Sequence, residues 1–270
     1  MPVLRRGAAL LTALICGVVM IAGCGTASSQ RRSESGAVTM PSPGPVPSYG
    51  GLPQATTFAR LPAAPRDAEP AAPGGGTVLH PNTPATVHAA PGGRAIAVLP
   101  ATQLGGPAWV PVVRRSGAWS QVLLPSRPNH STGWVRTGHA RTPAFDERRN
   151  PYTVRVDIGS RTLAISHGGH VTATWPVAVG AARTPTPLGR TFLLALLAPK
   201  TGPSPLVLPL GAHSPTLEHY GKGPATIALH GWHDPSVFRR AVSHGCVRVP
   251  DAALRQLARL PLGTLVLITP

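Results

Sequence analysis

The chain carries two short stretches near its carboxyl end that decide its fold and chemistry, His230-Gly231-Trp232-His233 and Ala241-Val242-Ser243-His244-Gly245-Cys246-Val247-Arg248. Cys246 is the candidate nucleophile, but a thiol reacts as its thiolate, and an isolated cysteine has a pKa of about 8.5. A neighbouring imidazole can take the thiol proton and later return it to a leaving amine. His230 and His244 are the two candidates for that base.

The residues around the candidate nucleophile suit acyl transfer. His230 directly follows an apolar run, Thr226–Leu229, which is predicted to be a strand that holds the imidazole on a rigid support. The carbonyl of Gly231 is accessible to orient that imidazole, and Gly245 lets backbone N–H groups approach a developing oxyanion. The alternative is a loop that contains a buried, unreactive thiol.

The hydrophobic pattern from residue 150 onwards predicts a mainly β domain with one helix near its end. Val154, Val156 and Ile158 share one face of a strand. Asp251–Leu260 is predicted to be a helix that its first residue caps and Pro261 ends. Further strands are predicted over Leu163–Ile165, Val171–Val179, Arg190–Leu197, Leu206–Leu208, Thr226–Leu229 and Thr264–Thr269.

The histidine-glycine pair followed by Ser243-His244-Gly245-Cys246-Val247-Arg248 resembles the signature of the L,D-transpeptidase family, also called the YkuD type. The resemblance covers about residues 150 to 268 and includes the loop Thr184–Gly189. It implies that residues 150–270 form a YkuD-type β-sandwich catalytic domain with a short carboxyl-terminal helix.

The resemblance also implies an acyl transfer on peptidoglycan tetrapeptide stems. Cys246 would attack the carbonyl between the third and fourth stem residues, form a thioester and release D-alanine, after which an amine of another stem completes a cross-link. His230 would be the general base and acid, oriented by the Gly231 carbonyl. His244 would support the thiol, and Gly245 would lie in the oxyanion region. The family needs no cofactor or metal, and carbapenem-type β-lactams would acylate Cys246.

Three further residues are candidates for substrate contact. If Cys246–Arg248 is extended, both side chains lie on one face, so the Arg248 guanidinium could bind a stem-peptide carboxylate. A solvated arginine is the alternative, and family members often carry Asn at this position. Ser243 could hydrogen-bond within the site or only shape the turn. Trp232 could line the cleft or belong to the core.

The amino terminus is predicted to be a lipoprotein-type signal peptide over residues 1–23. Arg5 and Arg6 precede an apolar stretch, and Ile21-Ala22-Gly23-Cys24 resembles the lipoprotein processing site. Cys24 would then be lipidated, which would anchor the exported chain to the outer face of the cytoplasmic membrane. An ordinary signal peptide or a retained anchor are the alternatives. Cys246 would be left without a partner in an oxidising compartment, and catalysis is the leading reason for such a thiol.

Two segments separate the signal from the catalytic domain. Residues 24–76 are rich in Pro, Gly and Ser, which predicts an extended, solvated linker that spaces the enzyme from the membrane. Residues 77–142 resemble a bacterial SH3-like β module, which either binds wall peptides or glycans or serves as a spacer. Its short strands are predicted at Ala95–Leu99, Trp109–Val113, Trp119–Leu124 and Gly133–Val135.

The net charge of +16 favours an anionic setting such as lipid headgroups, wall polymers or nucleic acid. The arginines are scattered and no nucleic-acid-binding signature is present, so no nucleic-acid partner is expected.

Three other functions remain as alternatives to a transpeptidase. Zinc hydrolysis could use His230, His233, Asp234, His244 and Cys246, although no familiar ligand spacing is matched. An L,D-carboxypeptidase would keep the cysteine and use water as the acceptor. A noncatalytic wall-binding lipoprotein would need no nucleophile at all.

Overall fold

The structure, a computed structural model, describes residues 50–138, 144–221 and 223–270, all of which belong to one compact unit. The predicted signal peptide and Cys24 lie outside the described residues, as do residues 24–49 of the predicted linker. Strands dominate the described chain, so the prediction of a mainly β protein is confirmed. In these ranges no helix is long and apolar enough to cross a membrane.

The amino-terminal part of the described chain is built from nine short strands. They are β1 (Thr77–Pro81), β2 (Ala85–His88), β3 (Ala95–Leu99), β4 (Thr102–Gln103), β5 (Gly106–Pro107), β6 (Val110–Ser116), β7 (Trp119–Leu123), β8 (Thr132–Arg136) and β9 (Phe145–Arg149). Seven of them form an antiparallel sheet in the order β3-β2-β8-β7-β6-β1-β9, and β4 pairs with β5. Apolar side chains of this sheet, among them Leu79, Val87 and Leu99, form one buried cluster. The SH3-like identity of this part stays a prediction.

The described residues of the carboxyl-terminal part form twelve strands, one α-helix and the 3-10 helix Pro235–Val237. They are β10 (Tyr152–Asp157), β11 (Thr162–His167), β12 (His170–Pro176), β13 (Val179–Gly180), β14 (Gly189–Phe192), β15 (Val207–His213), β16 (His219–Tyr220), β17 (Gly223–Pro224), β18 (Thr226–Gly231), β19 (Ala241–Ser243), β20 (Val247–Val249), α1 (Asp251–Leu257) and β21 (Leu265–Thr269). A five-stranded sheet has the order β12-β11-β10-β21-β14, and a three-stranded sheet has the order β15-β18-β20.

The core of this part lies between those two sheets. Val154 and Leu163 from the larger sheet join Leu208, Leu229 and Val247 from the smaller one in a single buried cluster. Strand β18 is the middle strand of the smaller sheet, with β15 antiparallel on one side and β20 parallel on the other. Residues at the end of β18 are therefore held on a strand that is paired on both sides.

Several local predictions differ from the structure. Strand β10 ends at Asp157, before Ile158, and β14 ends at Phe192, well short of the predicted Leu197. The helix ends at Leu257, before Pro261, and its N-cap is Pro250, while Asp251 is already inside the first turn, where its negative charge favours the helix dipole. The predicted strand Val171–Val179 is interrupted because β12 ends at Pro176, which has no N–H to continue the ladder.

Residues 50–76, which we call the strap, also differ from the prediction of an extended, solvated linker. Ala55 and Leu61 are buried in the amino-terminal core. Backbone hydrogen bonds join the strap to that part of the chain, for example from the Ala55 N–H to the Val98 carbonyl at 2.7 Å. The Arg190 guanidinium donates two bonds to the Asp67 carboxylate, at 2.6 and 2.7 Å, and both side chains are buried. The strap thus contacts both halves of the described chain.

Candidate active site

Cys246 is a free cysteine at the start of β20 and is partly exposed. It opens into a cleft with a volume of about 540 Å³ that continues into open solvent. The cleft is lined by the following residues: Tyr220, Pro224, Ala225, Thr226, Ile227, Ala228, His230, Ser243, His244, Cys246 and Arg248. The structure therefore brings five of the predicted site residues together around one cavity. Gly231, the next residue along β18, contacts His230 through its carbonyl oxygen.

The imidazole of His230 is held in one orientation. His230 sits near the end of β18, is 4% exposed, and its Nδ1 lies 2.9 Å from the Gly231 carbonyl oxygen. Because a carbonyl only accepts, Nδ1 carries the proton and Nε2 keeps its lone pair. Burial lowers the pKa of His230 to about 4, against the opposing effect of the Gly231 bond, while the nearby Arg248 charge adds to the lowering. At neutral pH the ring is thus a neutral base.

The thiol of Cys246 is also kept neutral in the resting site. Burial raises its pKa above the usual range, while a backbone hydrogen bond from Ala228 and the positive charge of Arg248 act in the opposite direction. Burial therefore disfavours both the thiolate of Cys246 and the imidazolium of His230. The resting site therefore holds a neutral thiol and a neutral imidazole in the same cleft.

Hydroxyl groups hold the loop that carries Cys246. The Ser243 Oγ accepts from the Gly245 N–H at 3.1 Å and donates to the Cys246 carbonyl at 2.5 Å. Thr184 donates to the Ser243 carbonyl, and Thr186 donates to the Gly245 carbonyl. Three carbonyl groups of the loop are therefore fixed by side chains, which limits the movement of the nucleophile.

Gly245 is required by the shape of this loop. Its φ is +116°, and a Cβ there would lie 2.9 Å from Ile227 Cδ1, so a larger residue would meet both strain and a clash. Its N–H is engaged by Ser243. The role of Gly245 that the structure describes is conformational, and its place in an oxyanion hole stays a prediction.

Arg248 and Trp232 form a stacked pair beside the base. The Arg248 Cζ lies 3.6 Å from the centre of the Trp232 ring, and that ring makes an edge contact with His230 at 6.0 Å. The Arg248 Nε is buried and has no hydrogen-bond partner among the described residues. Burial lowers the pKa of this guanidinium, the direction expected for a desolvated cation.

Tyr220 faces His244 across the cleft, with its hydroxyl oxygen 3.4 Å from Nδ1 and the two rings 5.4 Å apart. In the sequence, Tyr220 and His213 lie in a Gly/Pro-rich stretch that could cover the cleft, although the pattern favours an ordinary loop. The contributions of Thr184, Thr186 and the Ala228 N–H were also not predicted. The family resemblance of the loop Thr184–Gly189 was the one sequence signal for the region that contains Thr184 and Thr186.

The zinc alternative needs several ligands in one place. Within the described parts of the chain, no group of three or more His, Cys, Asp and Glu side chains is arranged to hold a metal ion. His233 stacks on Trp232 at 5.4 Å, and Asp234 caps the 3-10 helix Pro235–Val237.

Comparison with known proteins identifies the class to which this fold and site belong. Residues 151–268 match the L,D-transpeptidase catalytic domain of the YkuD family. YkuD of Bacillus licheniformis is 34% identical over 157 residues, which span 56% of this chain and 86% of that protein. YkuD of Bacillus subtilis is 35% identical over 150 residues, which span 54% of this chain and 84% of that protein.

Among solved structures, an L,D-transpeptidase from Mycobacterium smegmatis is similar to 58% of this chain and 80% of its own, with 15% identity and a TM-score of 0.38. The sequence relatives carry the assignment. The chain belongs to the YkuD family of L,D-transpeptidases.

Proposed function

We propose that this chain is an L,D-transpeptidase that cross-links peptidoglycan through a thioester on Cys246. The observation that carries the proposal is that Cys246 and a buried, neutral His230 line one open cleft. The Nδ1 of His230 is committed to the Gly231 carbonyl, so Nε2 is the nitrogen available to the thiol and the substrate.

The first half of the reaction forms the acyl-enzyme. The Cys246 Sγ–H gives its proton to His230 Nε2 as sulfur attacks the carbonyl carbon between the third and fourth stem residues. The carbon–nitrogen bond then breaks, and the imidazolium returns the proton to the nitrogen of the leaving D-alanine. Because burial lowers the pKa of His230 to about 4, its protonated form is a strong acid for that transfer.

The second half releases the acyl group to an acceptor. An amine of another stem gives a proton to His230 Nε2 while its nitrogen attacks the thioester carbonyl. The carbon–sulfur bond breaks, and the proton passes to the Cys246 sulfur, which restores the resting thiol. Water in place of the amine would make the same site an L,D-carboxypeptidase.

Arg248 supports recognition of a stem carboxylate in this proposal. Its guanidinium is half-buried, is stacked on Trp232, and has an unpaired Nε, so an anionic ligand offsets a desolvation cost that the free protein carries. Ser243 acts through the loop that it closes, and His244 acts next to the thiol together with Tyr220.

The setting of the enzyme belongs to the same proposal. A lipoprotein-type signal over residues 1–23 and lipidation of Cys24 would hold the chain at the outer face of the membrane. An SH3-like module over residues 77–142 would bring it to the wall polymer. Carbapenem-type β-lactams would acylate Cys246, because the carbonyl carbon of their strained amide can be attacked by the same thiol.

The reaction is tested with a purified tetrapeptide stem, with and without a second stem as the acceptor, followed by mass spectrometry of the products. We expect D-alanine release and a cross-linked dimer when the acceptor is present. Tripeptide as the main product at saturating acceptor would assign the chain to the carboxypeptidases. If D-alanine is released under neither condition, the chain is not an enzyme of either kind.

Replacing Arg248 with methionine is expected to raise the KM for the tetrapeptide by roughly ten- to a hundredfold, the value of one hydrogen bond to a charged group. The same stem with amidated carboxyl groups should show a much smaller difference between the two enzymes. Arg255→Met, on the exposed face of α1, is the matched control. Equal losses on the acid and amide substrates would contradict carboxylate binding by Arg248.

A further inference from the structure

The strap and the amino-terminal sheet reach the back of the catalytic cleft. Thr226, which lines the cleft, has its Oγ1 2.6 Å from the Oγ1 of Thr57 in the strap. Both residues are buried, at 8% and 1% exposure. A buried hydroxyl pair of this kind fixes two side chains against each other, because neither can turn to solvent for another partner.

His213 completes this buried group from the end of β15. Its Nε2 lies 2.8 Å from the Thr57 carbonyl oxygen and 3.1 Å from the Thr57 Oγ1. The His213 backbone is held in turn by Asn129, whose side chain accepts from the His213 N–H at 2.8 Å and donates to its carbonyl at 2.7 Å. Residues from the strap, the amino-terminal part and the catalytic part thus meet at one point.

Thr226 is the first residue of β18, the strand that carries His230. Two residues later, Ala228 supplies the backbone hydrogen bond to the Cys246 sulfur, and His230 lies near the end of the same strand. The Ile227 Cδ1 occupies the space that a Cβ at Gly245 would need, 2.9 Å from its ideal position. A change in the position of Thr226 is therefore transmitted along β18 to both the nucleophile and the base.

A second contact holds the segment that leads to Tyr220. The Arg127 guanidinium donates to the carbonyls of Ser214, Leu217 and Glu218, at 3.2, 2.9 and 3.3 Å. Arg60 in the strap makes an ion pair with Glu218 at 2.6 Å, but both side chains are well exposed, so that pair contributes little. Arg127 is mostly buried and is the stronger anchor.

We propose that the strap and the loop between β7 and β8, which carries Arg127, are positioning elements of the active site. Thr57 fixes the start of β18 through Thr226, and Arg127 fixes the segment that carries Tyr220. Neither residue touches the reacting atoms. The functional unit of this enzyme then begins in the strap, well before the residues that match the family's catalytic domain.

Thr57→Val tests the first contact, because valine keeps the shape of threonine and removes the hydroxyl. We expect kcat/KM for the tetrapeptide to fall by about three- to tenfold, the range that one buried hydrogen bond commands. Thr57→Ser restores the hydroxyl and should recover the wild-type value. Thr56→Val is the matched control, since among the described residues the Thr56 hydroxyl bonds to the neighbouring Phe58 N–H and to no other group.

The measurement of kcat/KM with the peptide rests on the proposed function. A second measurement is therefore needed that does not depend on it. The rate of iodoacetamide reaction at Cys246, measured against pH by peptide-resolved mass spectrometry on the full chain, reports the position of the thiol whatever the substrate. Thr57→Val and Arg127→Met should each change this profile by several-fold at temperatures where both variants are fully folded by circular dichroism. Arg66→Met, at an exposed position in the strap, should leave the profile unchanged.

The outcomes separate the two hypotheses. If the wild type turns over no peptide, the alkylation profiles alone decide the positioning role. If Thr57→Val and Thr56→Val give the same profile and the same kcat/KM, Thr57 is structural and the proposal is wrong. Loss of thermal stability without a change in the Cys246 profile would lead to the same conclusion.

Discussion

Cys246→Ala is expected to abolish acyl-enzyme formation, with both the tetrapeptide and a carbapenem. Sulfur is the only atom at this position that can form the thioester, and the surrounding hydroxyls, on Ser243, Thr184 and Thr186, are committed to backbone carbonyls. Intact-protein mass spectrometry should show a single carbapenem adduct on the wild type and none on the variant. Alanine fills less space than cysteine at a site that opens on a cleft, so folding should be preserved.

Two controls make that result specific. Thermal unfolding of Cys246→Ala should stay close to the wild type, which excludes loss of the fold as the cause. Wild-type activity should survive a chelator and disappear on thiol alkylation, whereas a zinc hydrolase would lose its activity in the chelator. An adduct on a residue other than Cys246 would count against the whole assignment of the nucleophile.

The period of the hydrophobic pattern was enough to predict the existence of several strands of the larger sheet, but not their order in it. Val154 and Val156, predicted to share one face, are fully buried, and the hairpin turn at Gly168–Gly169 has the positive φ values that glycine permits. These features are local, so neighbouring residues encode them. The end of β12 at Pro176 and the position of Pro250 as the N-cap residue of α1 were not predicted, because the boundary of an element depends on its tertiary partners.

The strap shows where a composition-based prediction fails. Its high Pro, Gly and Ala content is typical of a solvated linker, yet Thr57 and Asp67 are buried against residues 156 and 123 positions away in the chain, His213 and Arg190. Contacts of such separation leave no periodic signal in the sequence. The same holds for Tyr220, whose approach to His244 depends on how the segment before β18 is held.

The residues of the candidate site fall into two groups by the same criterion. Cys246, His230, Gly231 and His244 were predicted because they lie in two short stretches with a family-specific order. The hydroxyls of Thr184 and Thr186 were not predicted, although they fix the carbonyls of the loop that presents the sulfur. A motif records the reacting groups, whereas the groups that immobilise them are dispersed along the chain.

Replacing His230 with glutamine should lower the rate of Cys246 acylation by about a hundred- to ten-thousandfold, the usual contribution of a positioned general base. Glutamine can still donate to the Gly231 carbonyl, but it cannot accept the thiol proton. His170→Gln, at an exposed hairpin position, is the matched control and should keep the wild-type rate. Single-turnover acylation followed by mass spectrometry measures all three enzymes.

The pH dependence distinguishes loss of a base from a general disturbance of the site. Burial lowers the pKa of His230 to about 4, so the wild type keeps its neutral base above that pH, and its rate should fall only as the pH drops towards 4. The variant must rely on thiolate formed by solvent. Because burial raises the pKa of Cys246, its rate should climb about tenfold per pH unit across the neutral and mildly alkaline range. If His230→Gln lowered the rate by the same factor at every pH, His230 would be acting through the fold, and the base would have to be sought at His244.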